Sequence, residues 1–231
     1  MEQEGAFIPR LDILPPSQRR LWAELSAVPK EFVLYGGTAL ALQLGHRDSV
    51  DFDFFGRIPL SEARLEADIP FLAGARVFQR DKDTLSVILD REGPVHVSFF
   101  GVPKLKQLRV AHIAPDNGLR VASLLDLAGT KASVIQLRAE PKDYIDMDAL
   151  MRLGNVSLPH ALAAAKDIYG SNFNPEITLK ALSYFEDEGV SALPDEMKLR
   201  LLEAARAVDL EHLPSLRTVV PHHERDFGYE P

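Results

Sequence analysis

A chain of 231 residues with 46% hydrophobic and 26% charged side chains has the make-up of an ordinary globular protein, long enough for a full core with a helical appendage. It holds no cysteine, which excludes disulfides, thiolate catalysis and cysteine-ligated zinc. The net charge of −8 argues against general coating of nucleic acid, and neither a signal-peptide pattern nor a membrane-crossing apolar run is visible, so the expectation is a soluble cytoplasmic protein without membrane contact.

Pro15 and Pro16 precede a segment in which Leu21, Trp22, Leu25 and Val28 recur at helical spacing, which predicts a helix over about 17–28. The next stretch, FVLYGGTALALQLG, is a short apolar run meeting a glycine pair. It reads as a turn feeding a helix, with Thr38 near the start and Gly45 at the end. Between 50 and 54 the sequence VDFDFF alternates with the period of a strand, placing Val50, Phe52 and Phe54 on one face and Asp51 and Asp53 on the other. A helical stretch over about 60–67 follows. Strands are then predicted near 75–80, 84–90 and 95–100. From Ser123 onward only helices are predicted, over 123–138, 140–153, 158–169, 175–187 and 195–208. The whole reads as an α/β domain over residues 1–122 and an α-helical part over 123–231. His222, His223 and Glu224 near the chain end invite a metal reading, but a terminal polar cluster is read as solvated.

Charge is unevenly spread, since residues 101–142 carry seven Lys or Arg against three acids. A local site for an anion is therefore compatible with an acidic chain, although a solvated basic face would look the same. The acids at 51 and 53 are the sharper signal. Two carboxylates at i and i+2 on a strand point the same way, about 6.6 Å apart along it, and can converge on a divalent cation. That arrangement suits phosphoryl transfer, in which the cation neutralises the triphosphate and orients the leaving pyrophosphate. Upstream, Gly36 and Gly37 open a turn and a helix whose backbone N–H groups can approach phosphate oxygens closely.

The segment YGGTALALQLGHRDSVDFDFF resembles the signature of the AbiEii/AbiGii-type nucleotidyltransferase toxins, within the minimal nucleotidyltransferase superfamily. Thirteen residues separate Gly37 from Asp51, with Arg47 and Ser49 filling the polar positions between them. The resemblance implies a nucleotidyltransferase fold in which Asp51 and Asp53 hold magnesium (or manganese) and Gly36, Gly37, Thr38, Arg47 and Ser49 hold the triphosphate. It also implies transfer of a nucleoside monophosphate to an acceptor hydroxyl, an RNA such as tRNA as acceptor, and an antitoxin protein as partner.

A second block, LLDLAGTKASVIQLRAEPKDYIDMDAL, is similar to the family's later helices. Here Leu124, Leu127, Lys131, Val134 and Arg138 share one helical stripe, so two cations interrupt an apolar face, which is costly unless each meets an anion. Phosphate is one partner for Lys131, while Asp143 or Asp146 on the next helix suits Arg138, and an internal salt bridge is the alternative for both. The chain departs from many nucleotidyltransferases at one point: where a third acid would stand on a later strand, it offers His96 and Ser98. That departure keeps a second reading open, a non-catalytic module that senses nucleotide or binds a protein on the same fold.

Overall fold

The computed structural model of the chain describes residues 7–138, 140–187 and 189–217; His222, His223 and Glu224 lie outside them. Pro16 stands at the first position of helix α1 (Pro16–Trp22), where its fixed φ suits a helix start and its missing N–H removes no bond. The helix predicted over 17–28 continues only as a 3₁₀ turn, Ala23–Ala27. The carbonyl of Trp22 is engaged by Asn117 Nδ2 at 2.8 Å, which draws the chain out of the regular ladder, yet Leu21, Trp22, Leu25 and Val28 all remain buried.

Strand β1 (Phe32–Tyr35) is buried at all four residues, so no alternation marked it as a strand. It runs straight into α2 (Gly36–Leu44), which ends where Gly45 adopts φ 63° and donates its N–H to the carbonyl of Ala41. Strand β2 (Asp51–Gly56) alternates as predicted, with Phe52 and Phe54 fully buried and Asp51, Asp53 and Phe55 on the opposite face. Val50 differs from expectation: it precedes the strand, its carbonyl is held by Gln18 Nε2, and its side chain is 47% exposed.

After α3 (Glu62–Asp68) come β3 (Arg76–Asp81), β4 (Thr84–Asp90) and β5 (Pro94–Gly101), then two short strands, β6 (His112–Ile113) and β7 (Arg120–Val121). The sheet order is β3-β4-β5-β2-β1-β7-β6, with β2 parallel to β5, β1 parallel to β7 and the other pairs antiparallel. Phe99 stacks on Phe54 and meets Phe32 edge-on, which fixes the apolar face beneath β1, β2 and β5.

Ser123 caps α4 (Leu124–Ile135) by accepting the N–H of Asp126, and Pro141 opens α5 (Pro141–Arg152). Helices α6 (Leu158–Tyr169), α7 (Pro175–Ala181) and α8 (Asp195–Arg206) follow. Helix α7 stops at Ala181 rather than at 187, where the Ala181 carbonyl accepts from the Tyr144 hydroxyl and Leu182 turns into the core. One apolar cluster joins Leu34, Phe52 and Val97 of the sheet to Leu127, Leu162 and Leu201 of the helices, giving a mixed α/β fold with α4 and α5 standing over the acid face. No described helix is long and apolar enough to cross a membrane.

Candidate active site

The register of β1 on β2 sets Tyr35 opposite Asp53, so the chain leaving β1 enters α2 beside the second acid. Gly36 takes φ 73° there, and a Cβ at that position would stand 2.8 Å from Asp53 Oδ2. Both facts call for glycine: the left-handed backbone and the close approach. Gly36→Ala is expected to lose about 1–2 kcal/mol of stability from the backbone alone and to displace Asp53. Thermal melting and calorimetry of magnesium–nucleotide binding check this; parental values of both would overturn it. A Cβ on Gly37 would collide with the Arg47 guanidinium, which lies across the start of α2.

Arg47 is held there by Asp146, to which it donates from Nε at 2.7 Å and Nη2 at 2.9 Å in a two-pronged pair. Thr38 is buried behind the wall and bonds Ser49 Oγ at 2.8 Å and the carbonyl of Asp51, tying the 45–50 loop to α2. A cavity of about 310 Å³ opens in front of these groups. Gly36, Gly37, Arg47, Ser49, Asp51, Asp53, Lys131 and Arg138 all line it; Thr38, Asp143 and Asp146 do not.

Lys131 and Val134 of α4 face this cavity together with Arg138, which lies past the helix, since α4 stops at Ile135 rather than at the predicted 138. Lys131 is nearly enclosed, its ammonium 2.7 Å from Asp143 Oδ1 and 2.6 Å from Asp146 Oδ2, and Arg138 Nε lies 2.9 Å from Asp143 Oδ2. Lys131 thus already holds two carboxylates while bordering the cavity. Asp146, fully buried, also accepts from His46 Nε2 at 2.7 Å. Although burial opposes its ionisation, bonds from His46 and Arg47 and the charge of Lys131 hold its carboxyl well below the usual range. His46 Nδ1 is buried with no hydrogen-bond partner among the described residues.

Asp51 and Asp53 are placed differently. No described residue donates a hydrogen bond or an ion pair to either carboxylate. Burial, then the neighbouring Asp51, push Asp53 up to about 6, while Lys131, Lys142 and Arg138 pull it down. Among the described residues no cluster of three or more His, Cys, Asp or Glu is arranged as a metal site. A pair of unbonded carboxylates is nonetheless the donor set that magnesium takes when substrate phosphates and water complete its shell, so the residues fit such an ion. On the neighbouring strand Ser98 lies opposite Asp53 and His96 opposite Asp51, and Ser98 Oγ is bonded to Ser86 Oγ at 3.0 Å. The place of a third acid is therefore taken by a neutral hydroxyl pair.

Cavity residues that the sequence reading missed include Tyr35, Phe55, Thr130, Lys142 and Tyr169. Phe55 continues the i, i+2 alternation of the acids, and Lys142 stands next to Asp143 in the quoted helix block, so both carried a signal. Tyr169 ends α6 and reaches the site only through the tertiary fold.

Residues 20–220 match the family described as Nucleotidyl transferase AbiEii toxin of type IV toxin–antitoxin systems. An uncharacterised protein of Aquifex aeolicus (strain VF5) is 35% identical over 159 residues, covering 68% of this chain and 75% of its own. In overall fold the chain is similar to an H. pylori protein assigned to the nucleotidyltransferases (TM-score 0.54, 18% identity, 82% of this chain and 92% of that one). It is likewise similar to MenT4, a nucleotidyltransferase toxin of Mycobacterium tuberculosis (TM-score 0.54, 15% identity, 83% and 82%). With two glycines opening α2 beside two free acids, and the match running from 20 to 220, the protein belongs to the AbiEii nucleotidyltransferase toxin family.

Proposed function

We propose that this toxin nucleotidyltransferase moves a nucleoside monophosphate from a nucleoside triphosphate to an acceptor hydroxyl, with Asp51 and Asp53 as ligands of magnesium or manganese. The observation that carries the reading is the pair of carboxylates, free of any described donor, on one wall of a cavity whose other wall presents Lys131, Arg138 and Lys142. A divalent ion held by that pair would neutralise the triphosphate and favour departure of pyrophosphate. The N–H groups opening α2 at Gly36 and Gly37 take phosphate oxygens, flanked by Arg47 and Ser49. Arg138 and Lys142, half-exposed and sharing Glu140 as a partner, add their charge to that of the buried Lys131, which is committed to two acids.

In the transfer the acceptor oxygen attacks the α-phosphorus, the bond to the β-phosphate oxygen breaks, and the hydroxyl proton passes to a local carboxylate. An RNA such as tRNA is the proposed acceptor, an antitoxin protein the proposed partner and the cytoplasm the proposed setting, all from family membership. We assign catalysis jointly to the sheet segment 1–122, which brings the acids, and the helical segment 123–231, which brings the cations.

Label transfer from each NTP to total RNA across a magnesium titration tests the reading, with Ser98→Asp alongside. The expected result is transfer by the parent that shifts to lower magnesium in Ser98→Asp. Tight magnesium–nucleotide binding without transfer under any condition would instead favour the nucleotide-sensing module, which the Ser86 and Ser98 hydroxyl pair makes the natural second reading.

A further inference from the structure

A second groove, of about 730 Å³, adjoins the nucleotide cavity and shares one residue with it, Tyr169. Its near wall is the β3–β4 turn and the loop after β5, fastened to each other by the bond from Gly101 N to the Asp83 carbonyl at 2.9 Å. Its far wall is the end of α6 and the turn beyond it. Lys82, Lys104 and Lys106 are exposed along the near wall, and none forms an ion pair with a described residue; among the described residues Asp83 is the single acid lining the groove. Three ammonium groups gathered in one groove with no ion pair among the described residues, on a chain of net charge −8, form a local field for a polyanion.

The position of the groove says which polyanion. Asp51, Asp53 and Phe55 follow one another along one face of β2, and the bond from Val102 N to the Gly56 carbonyl places the basic loop at the far end of that strand. The phosphate-holding groups Arg47 and Ser49 precede its near end. The groove therefore approaches the acids from the side opposite to the triphosphate. At the junction the Tyr169 ring offers an aromatic surface on which a base can stack.

We propose that this groove binds the sugar–phosphate backbone of a single-stranded nucleic acid end, with phosphates on Lys82, Lys104 and Lys106 and a base on Tyr169, and delivers its terminal hydroxyl to the acids. The inference rests on the transfer reading only in naming that strand the acceptor. The test compares the parent with the triple variant Lys82→Gln, Lys104→Gln, Lys106→Gln, whose exposed positions leave the fold intact, as a melting curve verifies. Fluorescence anisotropy of a labelled RNA oligonucleotide with a single-stranded 3′ end is followed across a salt series, and calorimetry follows each NTP with magnesium. Loss of three phosphate contacts is expected to reduce the slope of log affinity against log salt by about 2 and to weaken RNA binding roughly 10- to 100-fold at low salt. NTP affinity is expected to stay within about twofold, since none of the three lysines reaches the nucleotide cavity. Absent RNA binding by the parent, unchanged RNA binding by the variant, or an equal fall in NTP affinity would each overturn the groove. RNA that binds as expected but receives no label would overturn the transfer reading and leave the groove standing.

Discussion

Asp53→Asn is expected to abolish nucleotidyl transfer and, at neutral pH, to make the free protein more stable. The loss follows from the role proposed for the pair: withdrawing one of two metal ligands removes several kcal/mol of transition-state stabilisation, a rate loss on the order of 10³-fold. The gain follows from linkage. A folded carboxyl raised from 3.8 to about 6 binds its proton more tightly than the unfolded chain does. Folding therefore weakens as pH climbs from about 4 to 6, and above that the charge stands as a constant penalty. Discounted for the partial exposure of Asp53, relief of that penalty is worth about 1–2 kcal/mol, or roughly 3–6 °C in Tm. Near pH 3.5 the carboxyl is largely protonated in both states and the advantage of Asn vanishes. Melting curves at pH 7 and 3.5 check the sign; an Asn variant that melts at or below the parent at pH 7 would show that Asp53 is satisfied without a ligand.

Asp146→Asn is expected to act the other way, costing about 3–5 kcal/mol, because it strips the shared anion from Arg47 and Lys131 in a buried setting. In a chain of this size that corresponds to a Tm lower by roughly 10 °C. The carboxyl of Asp146 is depressed in the folded state, so its contribution is complete above pH 4 and is lost only as pH falls through strongly acid values. A second readout separates architecture from chemistry: with Arg47 released from its two-pronged pair, nucleotide affinity should fall even at temperatures where the variant is fully folded. Unchanged affinity in a folded but weakened variant would assign Arg47 to structure alone.

How much of this was legible beforehand depended on whether a residue's role left a local period. Asp51 and Asp53 were readable because an acid face alternating with fully buried Phe52 and Phe54 has one geometric meaning on a strand. Lys131 and Val134 were readable as one stripe, although α4 stops at Ile135 short of Arg138, and a stripe does not say which anion meets it. The choice of Asp143 and Asp146 for Lys131, and of Asp146 for Arg47, is made by contacts spanning 12 to 99 residues. β1 gave no alternation because both of its faces are covered, and β6 and β7 are two residues each, shorter than any period. The helix over 17–28 broke into two geometries through a side chain 95 positions away. Local spacing carries the identity of a face; the partner across it is a tertiary fact.

The nucleotide cavity draws one wall from residues 35–55 and the other from residues 130–142, with Tyr169 between it and the basic groove. Synthesis proceeds in that same order, so a ribosome-bound chain emerges with Asp51 and Asp53 long before Lys131, Arg138 and Lys142. A half-made chain has one wall of that cavity and not the other. The cavity is whole only once some 170 residues have emerged and the helices have closed over the sheet, so its assembly waits on the later part of the chain.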